Sequence, residues 1–234
     1  NHTDNLEIID NNTACVILET IQGGAGFIIP ENNFLKKIKS RCKKVGALLI
    51  LDELQSGLGR TGKLFAFEHY GISPDILLLG KALGGASGGF TSSKKEVIEI
   101  LRQKSRPYLF SNTLAPSIVG ASLKVFELIE NDNSLINNLK KNTDNFREEM
   151  KNLGFDIVDG TLPIFPIMLY DAFLAKKMSE KLLEKGVYVI GFYFPVVPKD
   201  LARIRVQLSA GHTIEQLEKA INSFKEVGEE LKII

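Results

Sequence analysis

The stretch Asp75–Gly89, DILLLGKALGGASGG, decides the fold of this chain: a short apolar run ends at a lysine and a cluster of glycines. An apolar run of this length, bounded by turn residues, is typical of a buried strand. A lysine in that place either extends to solvent along its aliphatic stem or serves a chemical role. Because desolvation makes an amine a good nucleophile, the stretch predicts that Lys81 is a desolvated amine able to react with an aldehyde.

Two further apolar runs precede this strand, ACVILE at Ala14–Glu19 and ALLILD at Ala47–Asp52, and a stretch with helical spacing separates them. Continuous apolar strands that alternate with helices favour an α/β fold with a parallel sheet covered on both faces. Functional residues of such sheets collect at the carboxyl ends of the strands. Glu19, Asp52 and Lys81 all fall at predicted strand ends.

The second half of the chain has a different pattern of predicted helices and strands. A helical pattern runs to about Leu153, Gly154 follows it, and short strand candidates then flank one further helix. A last helix begins at Thr213, which with Gln216 forms a capping box. We therefore predict two domains, 1–153 and 154–234.

Composition and charge narrow the class of protein. The chain has 234 residues, 44% of them hydrophobic, and a formal net charge of +1. That balance gives no electrostatic reason to expect nucleic acid or a membrane surface as partner. The two cysteines are too few for a disulfide framework and lack the spacing of metal ligands. We expect a cytoplasmic enzyme without a metal.

Asp52 has two interpretations. Its carboxylate either caps the turn that follows the strand or pairs with the ring nitrogen of a cofactor. Pyridoxal phosphate requires a lysine for its aldehyde and an acid for its pyridinium nitrogen. Lys81 and Asp52, at the ends of two predicted strands, supply both groups.

Two family resemblances bear on this pair. LDELQSGLGRTGKLFAFEHYGISPDILLLGKALGG and ETIQGGAGFIIP, within residues 14–85, resemble the class III aminotransferases of the acetylornithine and ornithine group. Residues 80–234, with GKALGGASGGFTSSKKEVIEILRQKSRPYLFSNTLAPSIVGASLKVFELIE and GVYVIGFYFPVVPKDLARIRVQLSAGHT, resemble glycine C-acetyltransferase, an α-oxoamine synthase. Both families are pyridoxal-phosphate transferases of fold type I. The resemblance implies the C-terminal portion of that fold, part of a large, mainly parallel-sheet domain followed by a small α+β domain.

The same resemblances imply residue roles near the predicted strand ends. Lys81 binds the cofactor aldehyde and moves protons at the substrate α-carbon, while Asp52 binds the pyridinium nitrogen. Gln55 hydrogen-bonds the phenolic oxygen of the cofactor, and Leu54 packs on one face of its ring. An ordinary core leucine would pack in nearly the same way.

The resemblance to glycine C-acetyltransferase implies two further residue roles. Ser111, in YLFSNTLAP, reaches the cofactor phosphate of a neighbouring subunit, although a helix N-cap explains the residue as well. Arg205 binds the substrate carboxylate, for which a guanidinium has the bidentate geometry. Arg203 lies on the same strand face and alternation alone does not separate the two.

These roles imply a pyridoxal-phosphate transferase that works as a homodimer with its active site at the interface. The leading prediction is glycine C-acetyltransferase chemistry, glycine and acetyl-CoA giving 2-amino-3-oxobutyrate and CoA, or the reverse. One alternative is a class III aminotransferase acting on an ornithine-like amine. Another is a truncated or chimeric fragment that keeps the lysine without catalysis.

Overall fold

A computed structural model describes residues 5–24, 26–31, 33–83, 88–110 and 113–234. The chain forms two compact units: Asn1–Gly23 with Ile28–Asn133, and Gly24–Phe27 with Ser134–Ile234. The second unit begins at Ser134 because the helix that starts there packs its apolar face into the core of that unit. The domain boundary near 153 stays a prediction.

The first unit contains a four-stranded sheet of order β1-β2-β3-β4. β1, β2 and β3 are parallel, as the sequence predicts, and β4 is antiparallel to β3. The strands are β1 (Cys15–Glu19), β2 (Leu48–Asp52), β3 (Ile76–Gly80) and β4 (Gly89–Ser93).

The exposure of β1 departs from the prediction of a buried strand. Residues Cys15, Ile17 and Glu19 are exposed, and the Ile17 side chain is 61% exposed. β1 pairs only with β2 in the described sheet, so it is an edge strand, and its side chains alternate between two faces. In β2 the same alternation buries Leu49 and Leu51. The prediction of a sheet covered on both faces is therefore wrong for the described chain.

The second unit contains a three-stranded antiparallel sheet of order β5-β7-β6. Its strands are β5 (Ile164–Tyr170), β6 (Ile190–Phe192) and β7 (Ala202–Gln207). The first of the short strand candidates after Gly154, FDIVDG at residues 155–160, forms only one bridge, between Ile157 and Ile167. The core of the unit packs three aromatic rings edge to face or tilted, Phe146, Phe165 and Phe224.

Helices pack against the two sheets. Those of the first unit are α1 (Phe34–Val45), α2 (Lys95–Lys104), α3 (Arg106–Leu109) and α4 (Pro116–Asn131), and those of the second are α5 (Ser134–Asn152), α6 (Ala172–Glu184) and α7 (Ile214–Glu230). α7 begins as predicted, with Thr213 Oγ1 accepting from Gln216 N–H and Gln216 Oε1 accepting from Thr213 N–H. None of the helices in the described residues is long and apolar enough to cross a membrane.

Candidate functional site

The ends of the three parallel strands bring the predicted charged residues to one edge of the first sheet. Glu19 and Asp52 are register partners at the last positions of β1 and β2. Asp52 pairs in turn with Leu78 of β3, three residues before Lys81. The predicted placement of all three charged residues at carboxyl strand ends is confirmed.

Lys81 follows the last residue of β3 and holds a left-handed backbone conformation, with φ of 52°. Its Nζ donates a hydrogen bond to Gln55 Oε1 at 2.8 Å, so the structure brings together two of the predicted site residues. The Lys81 side chain is exposed. The prediction of a desolvated amine is therefore wrong for the described chain, because the lysine lies just beyond the sheet rather than within it.

Asp52 is half-buried at the end of β2, and its Oδ1 accepts a hydrogen bond from Leu54 N–H at 2.9 Å. This contact is the turn cap that the sequence offered as one interpretation. It fixes the carboxylate at the edge of the sheet on the strand that neighbours β3. A carboxylate so held can still pair with a cofactor nitrogen, because each carboxylate oxygen accepts more than one hydrogen bond.

Leu54 is half-buried and packs over the end of β3. A Cβ placed on Gly80 would lie 3.3 Å from Leu54 Cγ, so the absence of a side chain at residue 80 lets the leucine approach the strand. The sequence places further glycines after Lys81, and glycines there would let the backbone approach a flat ligand closely. Of these, Gly84 and Gly85 lie outside the described residues, as does Ser111.

Sequence reasoning missed Glu53, the residue between Asp52 and Leu54. Its side chain is only 1% exposed. Its Oε1 accepts from Thr20 Oγ1 at 2.9 Å and from Phe67 N–H at 2.7 Å, and its Oε2 accepts from Ala66 N–H at 2.7 Å. Burial raises the pKa of Glu53, although these hydrogen bonds act in the opposite direction. The residue type alone gave no signal, because glutamate is usually exposed.

Arg205 and Arg203 lie on β7 in the second unit, and their surroundings differ. Arg205 is half-buried, and its guanidinium carbon lies 4.4 Å from the centre of the Phe192 ring on β6. Arg203 is 7% exposed, and its Nε donates to Leu201 O at 2.9 Å. Its guanidinium also packs against Gly26, where a Cβ would lie only 2.5 Å from Nη1. Burial lowers the pKa of both guanidinium groups. Arg205 is thus the more accessible of the two.

The donor set at the edge of the first sheet fits an aldehyde cofactor with a basic ring nitrogen. It combines a primary amine, a carboxylate and a neutral amide on adjacent parallel strands and the loop after β2. The amine can condense with an aldehyde, the carboxylate can hold a protonated nitrogen, and the amide can hydrogen-bond a phenolic oxygen.

The fold and this donor set are those expected of the pyridoxal-phosphate-dependent enzymes of fold type I, as the sequence predicts. The sequence profile described as "Aminotransferase class-III" matches residues 2–227, and the chain belongs to that family.

Among curated proteins, the chain is similar to the 2-amino-3-ketobutyrate coenzyme A ligase of Escherichia coli (strain K12), with 53% identity over 206 residues, covering 86% of this chain and 52% of the relative. It is also similar to the mitochondrial 2-amino-3-ketobutyrate coenzyme A ligase of Homo sapiens, with 42% identity over 200 residues, covering 83% of this chain and 48% of the relative. The chain therefore spans about half the length of the curated relatives it matches.

A solved structure of SPT with its PLP internal aldimine superposes with a TM-score of 0.85 at 27% identity, over 94% of this chain and 56% of the other. Both family resemblances extend further than the sequence motifs suggested. The class III profile continues far beyond residue 85, and a match of 206 residues is longer than the stretch from residue 80 to the end.

Proposed function

We propose that this chain carries the lysine-bearing half of a pyridoxal-phosphate-dependent acyltransferase that joins glycine and acetyl-CoA to give 2-amino-3-oxobutyrate and CoA, or runs the reverse reaction. The observation that carries the proposal is the hydrogen bond from Lys81 Nζ to Gln55 Oε1 at the strand edge where Asp52 also lies. The similarity to two proteins named 2-amino-3-ketobutyrate coenzyme A ligase supports the choice of substrates.

Each residue of the strand edge has a role in this proposal. Bound pyridoxal phosphate supplies an electron sink for the carbanion at the substrate α-carbon. Lys81 holds the cofactor through its aldehyde carbon and carries the proton that leaves the α-carbon of glycine. Asp52 keeps the ring nitrogen protonated, Gln55 hydrogen-bonds the phenolic oxygen, and Leu54 packs on one face of the ring.

Two residues extend the proposal beyond the strand edge. Arg205 binds the carboxylate of the amino acid, and its greater accessibility than Arg203 supports that assignment. Ser111 binds the cofactor phosphate of a second subunit, so we also propose a homodimer with the active site at the interface. Light scattering tests the dimer, and a monomer that retains full activity would contradict it. A cytoplasmic location belongs to the same proposal.

A second candidate function is transamination of an ornithine-like amine. Gln55 favours it, because the class III aminotransferases carry glutamine where the α-oxoamine synthases carry histidine. The match of the class III profile to residues 2–227 supports it as well. Both candidate functions assign the same role to Lys81.

Trapping of the cofactor on Lys81 tests what the two functions share. The protein is incubated with pyridoxal phosphate, reduced with borohydride and digested, and mass spectrometry is expected to find the pyridoxyl group on Lys81. Lys81→Ala should lose the stoichiometric label. Lys63→Ala is the matched control and should keep it, because Lys63 is exposed and its Nζ donates to the backbone oxygen of Glu68. An unlabelled Lys81 in the unmodified protein would overturn the proposal.

Product analysis separates the two functions. Release of free CoA from glycine and acetyl-CoA supports acyl transfer, and formation of glutamate from ornithine and 2-oxoglutarate supports transamination. Labelling of Lys81 without either product would leave cofactor binding in place and overturn both proposed reactions.

A further inference from the structure

Glu53 is a buried carboxylate that the proposed reaction does not use. Removing a carboxylate from water is costly unless hydrogen bonds compensate for the lost hydration. Three donors supply them: the Thr20 hydroxyl and the backbone N–H groups of Ala66 and Phe67. The two N–H groups open the 3-10 helix Ala66–Tyr70, where such groups have no partner within the helix.

The backbone of Glu53 is held as firmly as its side chain. Its N–H donates to Leu78 O of β3 at 3.0 Å, and its carbonyl accepts from Gly57 N–H at 3.0 Å. A Cβ on Gly57 would lie 2.9 Å from the Glu53 carbonyl oxygen, so the loop can close only around a glycine. Just before Glu53, the carbonyl of Asp52 accepts from Thr20 N–H at 3.4 Å.

These contacts converge on the segment that carries the cofactor-binding groups. The Glu53 side chain links Thr20, the residue after β1, to Ala66 at the start of the 3-10 helix. The Glu53 N–H links the end of β2 to Leu78 of β3. Asp52 precedes Glu53 directly, Gln55 follows two positions later, and Lys81 follows Leu78 by three positions. A shift of Glu53 would therefore move the carboxylate and the amide relative to the amine.

We propose that Glu53 is a positioning residue for the cofactor site, holding Asp52 and Gln55 in register with Lys81 through its contacts to Thr20, Ala66 and Phe67. This inference rests on the proposed binding of pyridoxal phosphate. The burial of Glu53 supports the proposal. A carboxylate buried among the segments that follow β1 and β2 cannot move without moving them, whereas an exposed carboxylate could.

Glu53→Gln is the decisive variant, because it keeps the shape of the side chain and changes one acceptor into a donor. If the amide oxygen keeps the contacts of Oε1, the amide NH₂ faces the N–H of Ala66, and two donors then oppose each other. We expect the dissociation constant of pyridoxal phosphate to rise about tenfold, the effect of losing one hydrogen bond to a charged group. We also expect the pH midpoint of the visible cofactor band to shift, because Asp52 is displaced from the ring nitrogen.

Glu68→Gln is the matched control. Glu68 is exposed and accepts from Phe65 N–H at 3.1 Å, so it contacts the same 3-10 helix without a hydrogen bond to a strand end. The control should leave both the dissociation constant and the pH midpoint unchanged. Thr20→Val is the second test variant, since it removes one donor to Glu53 and keeps the side-chain shape. We expect its dissociation constant to rise about threefold.

The outcomes separate this inference from the proposed function. Borohydride labelling of Lys81 in the unmodified protein, together with unchanged cofactor affinity and band midpoint in Glu53→Gln, would overturn the inference alone. Failure to label Lys81 in the unmodified protein would overturn the proposed function and the inference with it. If Glu53→Gln does not fold, Thr20→Val decides, and an unchanged affinity and midpoint in that variant refute the positioning role.

Discussion

Replacing Glu53 with glutamine should change how the stability of the chain depends on pH. Burial raises the pKa of Glu53 above its usual value, the hydrogen bonds from Ala66, Thr20 and Phe67 lower it less, and the charge of Glu68 raises it further. The folded chain therefore binds more protons than the unfolded chain at pH values between the usual glutamate pKa and the raised one. By linkage, the free energy of unfolding falls as pH rises through that window and levels off above it.

The size of the effect follows from one titrating carboxyl. A difference of one bound proton gives a slope of at most about 1.4 kcal/mol per pH unit, and Glu53→Gln lacks this slope. The glutamine also opposes its amide to the N–H of Ala66, which lowers the free energy of unfolding by roughly 1–3 kcal/mol at every pH. Tyr70, whose pKa is raised by burial and by the charge of Glu53, stays neutral throughout the window.

Urea unfolding at a series of pH values measures both contributions. The difference in free energy of unfolding between the unmodified protein and Glu53→Gln should shrink as pH rises through the window and then stay constant. Glu68→Gln is the comparison variant: it keeps the carboxyl of Glu53 and so should keep the slope, over a narrower pH window because the charge of Glu68 contributes to the raised pKa of Glu53. A difference that is constant at all pH values, or that grows with pH, would refute the assignment of the raised pKa to Glu53.

Two further substitutions test the second unit. Phe192→Leu removes the ring under the Arg205 guanidinium, a contact worth about 1 kcal/mol, so the KM for the amino acid should rise about fivefold with little change in kcat. Phe194→Leu is its control, because the Phe194 ring is exposed and its centre lies 5.4 Å from Lys199 Nζ. An unchanged KM in Phe192→Leu would argue against a role of the ring in holding Arg205. Thr213→Ala removes the cap of α7 and should lower the free energy of unfolding by about 1 kcal/mol in urea, with recovery in Thr213→Ser. Equal stability of Thr213→Ala and the unmodified protein would contradict this account of the cap.

The parts of the fold that could be predicted are those where one strong local pattern acts alone. The apolar runs of β2 and β3 end in Asp52 and Lys81, so the strands and their charged ends were predicted correctly. The α7 cap was predicted correctly because Thr213 and Gln216, which hydrogen-bond each other, are only three positions apart in the sequence. These patterns depend on neighbours in sequence.

The features that were missed depend on neighbours in space. β4 has the sequence GFTSS, in which glycine and serine hide any strand pattern, and it forms because β3 offers it a hydrogen-bonding edge. The exposure of β1 depends on what packs over the face that carries Ile17, and the sequence of the strand does not show this. The burial of Glu53 depends on Thr20 and on the Ala66–Tyr70 helix, which are distant in sequence.

The left-handed backbone at Lys81 lowers the stability of the folded chain at the residue whose amine the proposed chemistry requires. With φ of 52°, the residue occupies a region where glycine is more favourable than any L side chain by about 1 kcal/mol. A library of variants sorted only for thermal stability should therefore accumulate glycine at position 81 and discard the amine. Engineering of this chain for robustness has to select for cofactor retention at the same time, since the more stable substitution at this position is also the one that removes the nucleophile.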